Sequence, residues 1–258
     1  MRQLLRTWVE RRTRGLLLKR KFPDRFQGVP LYVTPEAGLR YLFKPIAQID
    51  PQLLDLAEEY VEPRHVVWDI GANIGLFSFA AAARATGGQV LCLEPDTWLV
   101  TILQRSVQAQ PPTSAHIDVI PVALAAQPGL RHFLIAERAR AANALEGYGS
   151  TQTGGVRDKY MVITLTLDWL SAHFPAPHVL KIDVEGAELE VLRGGLTLLR
   201  AAQPVIIAEI GHTETRAEVS QLLHDLGYQL FDADLPKHAR QPLAQAAYNT
   251  LALPERMA

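Results

Sequence analysis

A chain of 258 residues, 48% hydrophobic and 21% charged, is long enough for one large domain with a real core and short for two complete ones. Its formal net charge of −1 argues against wholesale nucleic-acid binding, and its single cysteine, Cys92, excludes a disulfide framework or a cysteine metal cluster. No apolar run reaches transmembrane length and the start lacks a secretory h-region, so a cytoplasmic protein is the expectation.

The charge is unevenly placed. Residues 1–25 hold nine Lys/Arg against Glu10 and Asp24, a net +7, which leaves −8 for the remainder. Leu4, Leu5, Trp8 and Val9 recur there at helical spacing, as in an amphipathic helix. Such a helix either touches a membrane surface or acidic partner, making the protein peripheral to the membrane, or lies solvated on the domain edge. Residues 1–60, broken by Pro30, Pro35, Pro45 and Pro51, read as an N-terminal helical extension or cap, and residues 61–258 as the main domain.

From residue 65 onward, short β-branched runs alternate with helical patterns, which signals βαβ units and a mostly parallel, doubly wound α/β sheet. Strands are expected at His65–Asp69, Gln89–Leu93 and Ile117–Ile120, separated by a helix over Leu76–Ala85 and another that Asp96 caps and that runs to about Gln108. Leu130–Ala136 and Met161–Leu167 read as strands with no long helix between them. The intervening Arg138–Asp158, rich in Ala, Gly, Ser and Thr, has no period and reads as a lid or as a surface excursion. Strands then follow at Val179–Ile182, Val205–Ala208, Tyr228–Phe231 and Thr250–Leu253, with helices over Ala187–Arg193 and Glu218–Leu226. Trp68, Trp98 and Trp169 read as packing residues.

Four motifs fall at strand ends, where open parallel sheets bind ligands. The first, Asp69-Ile70-Gly71-Ala72-Asn73-Ile74-Gly75, is a turn in which Gly71 admits a ligand close to the backbone, Gly75 lets the helix start near the sheet, and Asn73 offers an amide. The second is Glu94-Pro95, 19 residues beyond Gly75, whose carboxylate can accept both hydroxyls of a ribose. Together they indicate an adenosine-type ligand. The Gly71-x-x-x-Gly75 spacing departs from the G-x-G-x-x-G of dinucleotide sites. Asp69 would repel a pyrophosphate and attract the ammonium and sulfonium charges of S-adenosylmethionine. The third motif, Lys181-Ile182-Asp183-Val184-Glu185-Gly186-Ala187-Glu188, puts Lys181, Asp183 and Glu185 on one strand face by its period of two, which is costly unless they are paired or sit at a site. The fourth is Glu209-Ile210-Gly211-His212, ending the strand expected beside that of Asp183.

With these residues in hand, WDIGANIGLFSFAAAA, LEPD, TLDWL, LKIDVEGAELEVLRGG, AEIGH and NTLALP resemble the FkbM-type methyltransferases over about residues 60–253. The resemblance implies a Rossmann-like S-adenosylmethionine domain. It also implies O-methylation of a hydroxyl on a sugar, glycan, lipid-linked or polyketide-type acceptor. It assigns donor binding to Asp69, Gly71, Asn73, Gly75 and Glu94, with Ala72 and Pro95 beside them and Ala123 facing the adenine through its backbone. Lys181, Asp183, Glu185, Glu209 and His212 then line the acceptor side.

A hydroxyl is a poor nucleophile, so Asp183, with Glu209 or His212, is the expected base, or else Asp183 and Glu209 hold Mg2+. No residue set is assigned as a metal centre. Two rivals differ in class. A nicotinamide-dependent oxidoreductase is opposed by the glycine spacing and Asp69, and a non-catalytic donor-binding module would be expected to have lost Asp183 or Glu209. The sequence does not set the oligomeric state.

Overall fold

The computed structural model describes residues 12–137, 139–149 and 154–257, so the amphipathic segment around Leu4–Val9 lies outside the described residues. Among the described residues the chain opens with an antiparallel pair, β1 (Leu18–Lys21) and β2 (Pro30–Val33), then two short helices, α1 (Arg40–Phe43) and α2 (Pro51–Tyr60). Residues 12–60 thus mix strands with short helices rather than being helical throughout. The prolines read as breaks in fact start elements: Pro30 opens β2, and Pro51 takes the first turn of α2 with Asp50 capping the Leu53 N–H at 3.0 Å.

The main sheet is built from β3 (Val66–Ile70), β4 (Gln89–Leu93), β5 (His116–Ile120), β10 (Val179–Ile182), β11 (Val205–Glu209), β12 (Tyr228–Asp232) and β13 (Asn249–Pro254). Their order is β12-β13-β11-β10-β3-β4-β5. Strands β11 to β5 are parallel, and β13 runs antiparallel between β11 and β12. From β3 the chain first winds outward to β4 and β5, then returns to build β10 and β11 on the other side. The reversal leaves a crevice at the carboxyl ends of β3 and β10, the topological switch point of a doubly wound sheet.

Both sheet faces are covered, as parallel strands require. On one face Val67, Val90, Val179 and Val205 pack under α3 (Leu76–Arg84), whose run of alanines allows close approach, and against Phe22, Phe26, Leu31 and Val33 of the N-terminal segment. On the other, Trp68, Leu91, Leu180 and Ile206 meet α6 (Glu188–Arg193), α7 (Leu196–Ala202) and α8 (Thr213–Asp225). Helix α4 (Thr97–Val107) starts at Asp96, whose carboxylate accepts from the Trp98 N–H, as expected. Helix α8 begins five residues before the expected Glu218.

A second, four-stranded sheet joins β6 (Ala123–Leu124), β7 (Gly129–Ala136), β8 (Ala144–Leu145) and β9 (Val156–Leu165) in the order β6-β9-β7-β8. The expected strand Met161–Leu167 starts earlier and stops sooner, because Thr166 caps α5 (Leu167–Ser171) by accepting from the Trp169 N–H. Trp169 itself is 41% exposed and stacked on His173, so it is not a core residue. Within the patternless stretch Arg138–Asp158 the described residues hold a 3-10 turn at Arg140–Ala142, strand β8 and the first residues of β9. Among the described residues no helix is long and apolar enough to cross a membrane.

Because residues 12–60 share one core with the sheet, they should unfold with it. Leu31→Ala and Leu251→Ala, both fully buried, are each expected to cost about 2–5 kcal/mol. Urea titration should show one transition shifted in both variants. A separate early transition in Leu31→Ala alone would mark an independent cap.

Candidate active site

Lys181 lies near the end of β10, in the middle of the sheet and 6% exposed. Its Nζ reaches Asp69 Oδ1 at 3.2 Å, Asp183 Oδ2 at 3.2 Å and the Gly71 carbonyl at 3.0 Å. Burial works against this ammonium, but the Asp183 and Asp69 carboxylates outweigh it and hold its pKa above the usual lysine value. Three acceptors within 3.2 Å surround the ammonium, so Lys181 fixes the site rather than handing protons to a substrate.

Asp69 is wholly buried beneath that cation, with Ser78 Oγ donating to its other oxygen at 2.5 Å. It faces neither cavity, which corrects its expected direct role in drawing in a charged ligand. Gly71 follows at φ +76°, and a Cβ there would stand 1.8 Å from the Asp183 carbonyl oxygen. Only glycine lets the turn after β3 lie against the end of β10. Gly75, at φ +88°, has the edge of Phe79 where its Cβ would be, so it serves the approach of α3 and lines neither cavity.

Two adjoining cavities open here. The smaller is walled by Gly71, Asn73, Glu94, Pro95 and Val122 beside the main sheet, by Ala123, Leu124, Phe133 and Leu145 of the small one, and by Arg140 and Asn143 of the segment between β7 and β8. Glu94 is 5% exposed and pinned by two backbone donors, Asn73 N–H to Oε2 and Asp96 N–H to Oε1, both at 2.8 Å. Burial still pushes its pKa up to about 8. Asn73 uses its side-chain oxygen on the Ile74 N–H, so its amide is partly committed to the turn itself.

The larger cavity, about 190 Å³, is lined by Ala72, Lys181, Asp183, Glu185 and Glu209, and by Arg40, Tyr41, Asp50 and Gln52 of the N-terminal segment. Asn73, Ala141, Asp183 and Glu185 face both cavities. Glu185 stands outside the strand, which ends at Ile182, in a turn at φ +55°, so the expected alternation stops at Asp183. Burial, then the charges of Asp183 and Glu209, raise the Glu185 pKa to about 8. Burial and Asp183 likewise raise that of Glu209, to which the Tyr248 hydroxyl donates. One oxygen each from Asp183, Glu185 and Glu209 comes within 4.8 Å of the others.

His212 is exposed, packs on Gly186 and lines neither cavity, although β11 does neighbour β10 as expected. The residues missed in sequence come from two segments. Arg40, Tyr41, Asp50 and Gln52 sit in a stretch with no motif, and Arg140, Ala141 and Asn143 in one with no period. Tyr248 lay one residue before a recognised block.

Sheet order, the crevice at the switch point and the buried carboxylate at the end of β4 define a Rossmann-like methyltransferase fold. The chain belongs to the FkbM methyltransferase family, whose domain model ("Methyltransferase FkbM domain") matches residues 69–230. It is 29% identical over 178 residues, 68% of either chain, to the hexuronic acid methyltransferase AglP of Haloferax volcanii. Among solved structures it is similar to an FkbM methyltransferase from Methylobacillus flagellatus, at 16% identity and a TM-score of 0.49, covering 97% of this chain and 58% of that one. It is also similar to a precorrin-6y C5,15-methyltransferase from Geobacter metallireducens, at 13% identity and a TM-score of 0.44, over 80% and 85% of the two chains.

Removing the central cation should strand Asp69. Lys181→Met is expected to lower stability by about 3–5 kcal/mol, as for a buried pair broken on one side. Asp69→Leu added to the same chain should recover part of that loss in urea titrations. Equal stability of Lys181→Met and wild type would show that the triad is not what holds β3 to β10.

Proposed function

We propose that the chain transfers a methyl group from S-adenosylmethionine to a hydroxyl oxygen of a sugar or glycan. The observation that carries this reading is that Asp183 and Glu185 stand in the walls of both cavities, so groups held in the two cavities would meet beside them. The smaller cavity suits an adenosine. It offers one carboxylate, already anchored from behind, toward a ribose diol, and apolar walls from Val122, Leu124, Phe133 and Leu145 toward a purine. When bound, that donor supplies an activated methyl on a sulfonium. The larger cavity takes the acceptor, and its carboxylates suit sugar hydroxyls. The similarity to a hexuronic acid methyltransferase supports a sugar acceptor.

The chain's own work is alignment and proton removal. Asp183, held by Lys181 through one oxygen, is the base that takes the hydroxyl proton as the new C–O bond forms. Glu209, fixed by Tyr248, orients the acceptor. The exposed His212 is left out of this role. A second reading uses the same carboxylates, since Asp183, Glu185 and Glu209 are spaced to hold Mg2+. Residues 1–25 would bring the enzyme to a membrane surface if its glycan is lipid-linked.

Asp183→Asn should lower turnover at least about 100-fold while donor affinity stays within a few fold. Radiolabelled transfer to a panel of sugars, with and without EDTA, measures this. Loss on EDTA and recovery with Mg2+ select the metal reading. Label released from the product by mild alkali would place the methyl on a carboxylate oxygen, where no base is needed, and would overturn the hydroxyl assignment.

Glu94 provides a pH test. Its pKa near 8 means that it is mostly protonated at pH 7 in the free protein, whereas a ribose diol favours the carboxylate. Binding should therefore release a proton, and S-adenosylhomocysteine affinity should rise by about tenfold from pH 7 to pH 9. Calorimetry in buffers of different ionisation enthalpy should detect the proton in wild type and less of it in Glu94→Gln. Identical pH profiles in the two would move the ribose contact elsewhere.

A further inference from the structure

Arg140 and Asn143 stand on the segment between β7 and β9, and both reach across to a single carboxylate behind the smaller cavity. Arg140 Nη1 donates to Asp96 Oδ2, and Asn143 Nδ2 donates to the same oxygen at 2.8 Å. Asp96 is 1% exposed. Its other oxygen caps α4, while its backbone N–H holds Glu94 Oε1. One residue thus carries the loop on its side chain and the Glu94 carboxylate on its backbone. Asn143 Oδ1 accepts from the Ala136 N–H at 2.9 Å, so this amide spans from the end of β7 to Asp96. Arg140 Nε donates onward to Glu36 Oε2 at 3.2 Å, an oxygen that also accepts from Arg157 at 3.0 Å. Between Arg140 and Asn143, Ala141 faces both cavities.

We infer that Arg140 and Asn143 are positioning residues for the methyl donor. They latch the loop over the smaller cavity through Asp96, and the latch sets how fast the spent donor leaves. The inference rests on the reading of that cavity as the donor pocket. A surface excursion would have no reason to bury charge, yet the Arg140 and Asp96 side chains are only 15% and 1% exposed. Solvent and salt screen such a pair little, and breaking it leaves an uncompensated buried carboxylate behind the smaller cavity. The loop's other ties include the two-residue pairing of β8 with β7 and the Arg140 contact to Glu36. From 139 to 149 it buries only Asn143, Ala144 and Leu145.

Dissociation of S-adenosylhomocysteine from the full chain, followed by rapid-mixing displacement, tests the latch. Arg140→Ala should release it at least about tenfold faster while association changes less than about threefold, since contacts made after encounter act on the off-rate. Arg140→Lys should recover part of the effect. Arg157→Ala, which removes only a Glu36 contact, should stay within about twofold of wild type. Asn143→Ala, which keeps the ion pair, should shift in the same direction and serves if Arg140→Ala does not fold. Wild type that fails to bind S-adenosylhomocysteine would overturn the donor-pocket reading itself. Wild type that binds it, with both Arg140→Ala and Asn143→Ala releasing it at the wild-type rate, would overturn the latch alone.

Discussion

A cation enclosed in the middle of a parallel sheet must be neutralised locally, and around Lys181 that requirement organises everything else. Its three acceptors belong to the ends of two neighbouring strands: Asp69 and Gly71 after β3, and Asp183 after β10. These strands are adjacent in space but 110 residues apart in the chain, and they flank the point where the sheet reverses its winding. The ammonium therefore clamps the switch point itself. Enclosed by these acceptors, it sets the direction of Asp183 and the path of the turn from Gly71 to Gly75. The glycine at 71 is the steric counterpart of the same clamp, since any side chain there would push the two strand ends apart.

The clamp also sets the electrostatics of the proposed reaction. Lys181 is one cation among Asp69, Asp183, Glu185 and Glu209, and the raised pKa values of Glu185 and Glu209 show that burial and mutual repulsion leave the acids under-compensated. In the proposed reaction this surplus of acids over cations would favour a positively charged sulfonium over the neutral thioether left after transfer, and so the loaded donor over the spent one. The same surplus would suit a divalent cation, which is why base and metal readings draw on the same side chains. Tyr248 relieves part of the crowding by donating to Glu209, so its phenol belongs to the charge balance as much as to the wall.

The strands of the main sheet were legible because each is a short, largely apolar run bounded by a glycine, proline or acidic turn, as buried strands tend to be. The turn at Gly71 and the acid at Glu94 were legible as strand-end features because their positions follow from spacing along the chain. Orientation was not. Asp69 shows its charge in the sequence but not that Lys181 and Ser78 turn it inward. Glu185 obeys the period of a strand that has already ended. His212 sits at the right strand end, yet the chain leaves there with the ring outside both cavities. Asp69 is turned inward by partners distant in sequence, while Glu185 and His212 lie past the end of a regular element, where periodicity carries no information.

The least legible segments, residues 12–60 and the stretch between β7 and β9, are the ones that finish the site. Neither shows a sustained period, because most of its described pieces are only a few residues long, started by capped prolines or held by single polar side chains. Their order comes from contacts distant in sequence, and Glu36 is where the two meet, accepting Arg140 and Arg157 from one and the Gly15 N–H from the other. Burial works against the charge on Glu36, but those three donors outweigh it and lower its pKa, so this junction stays ionised through the neutral range. A sheet built on local pattern supplies a rigid floor, and irregular chain tied down by long-range ion pairs supplies the walls. Local rules fail where a binding site has to be assembled from several parts of the chain at once.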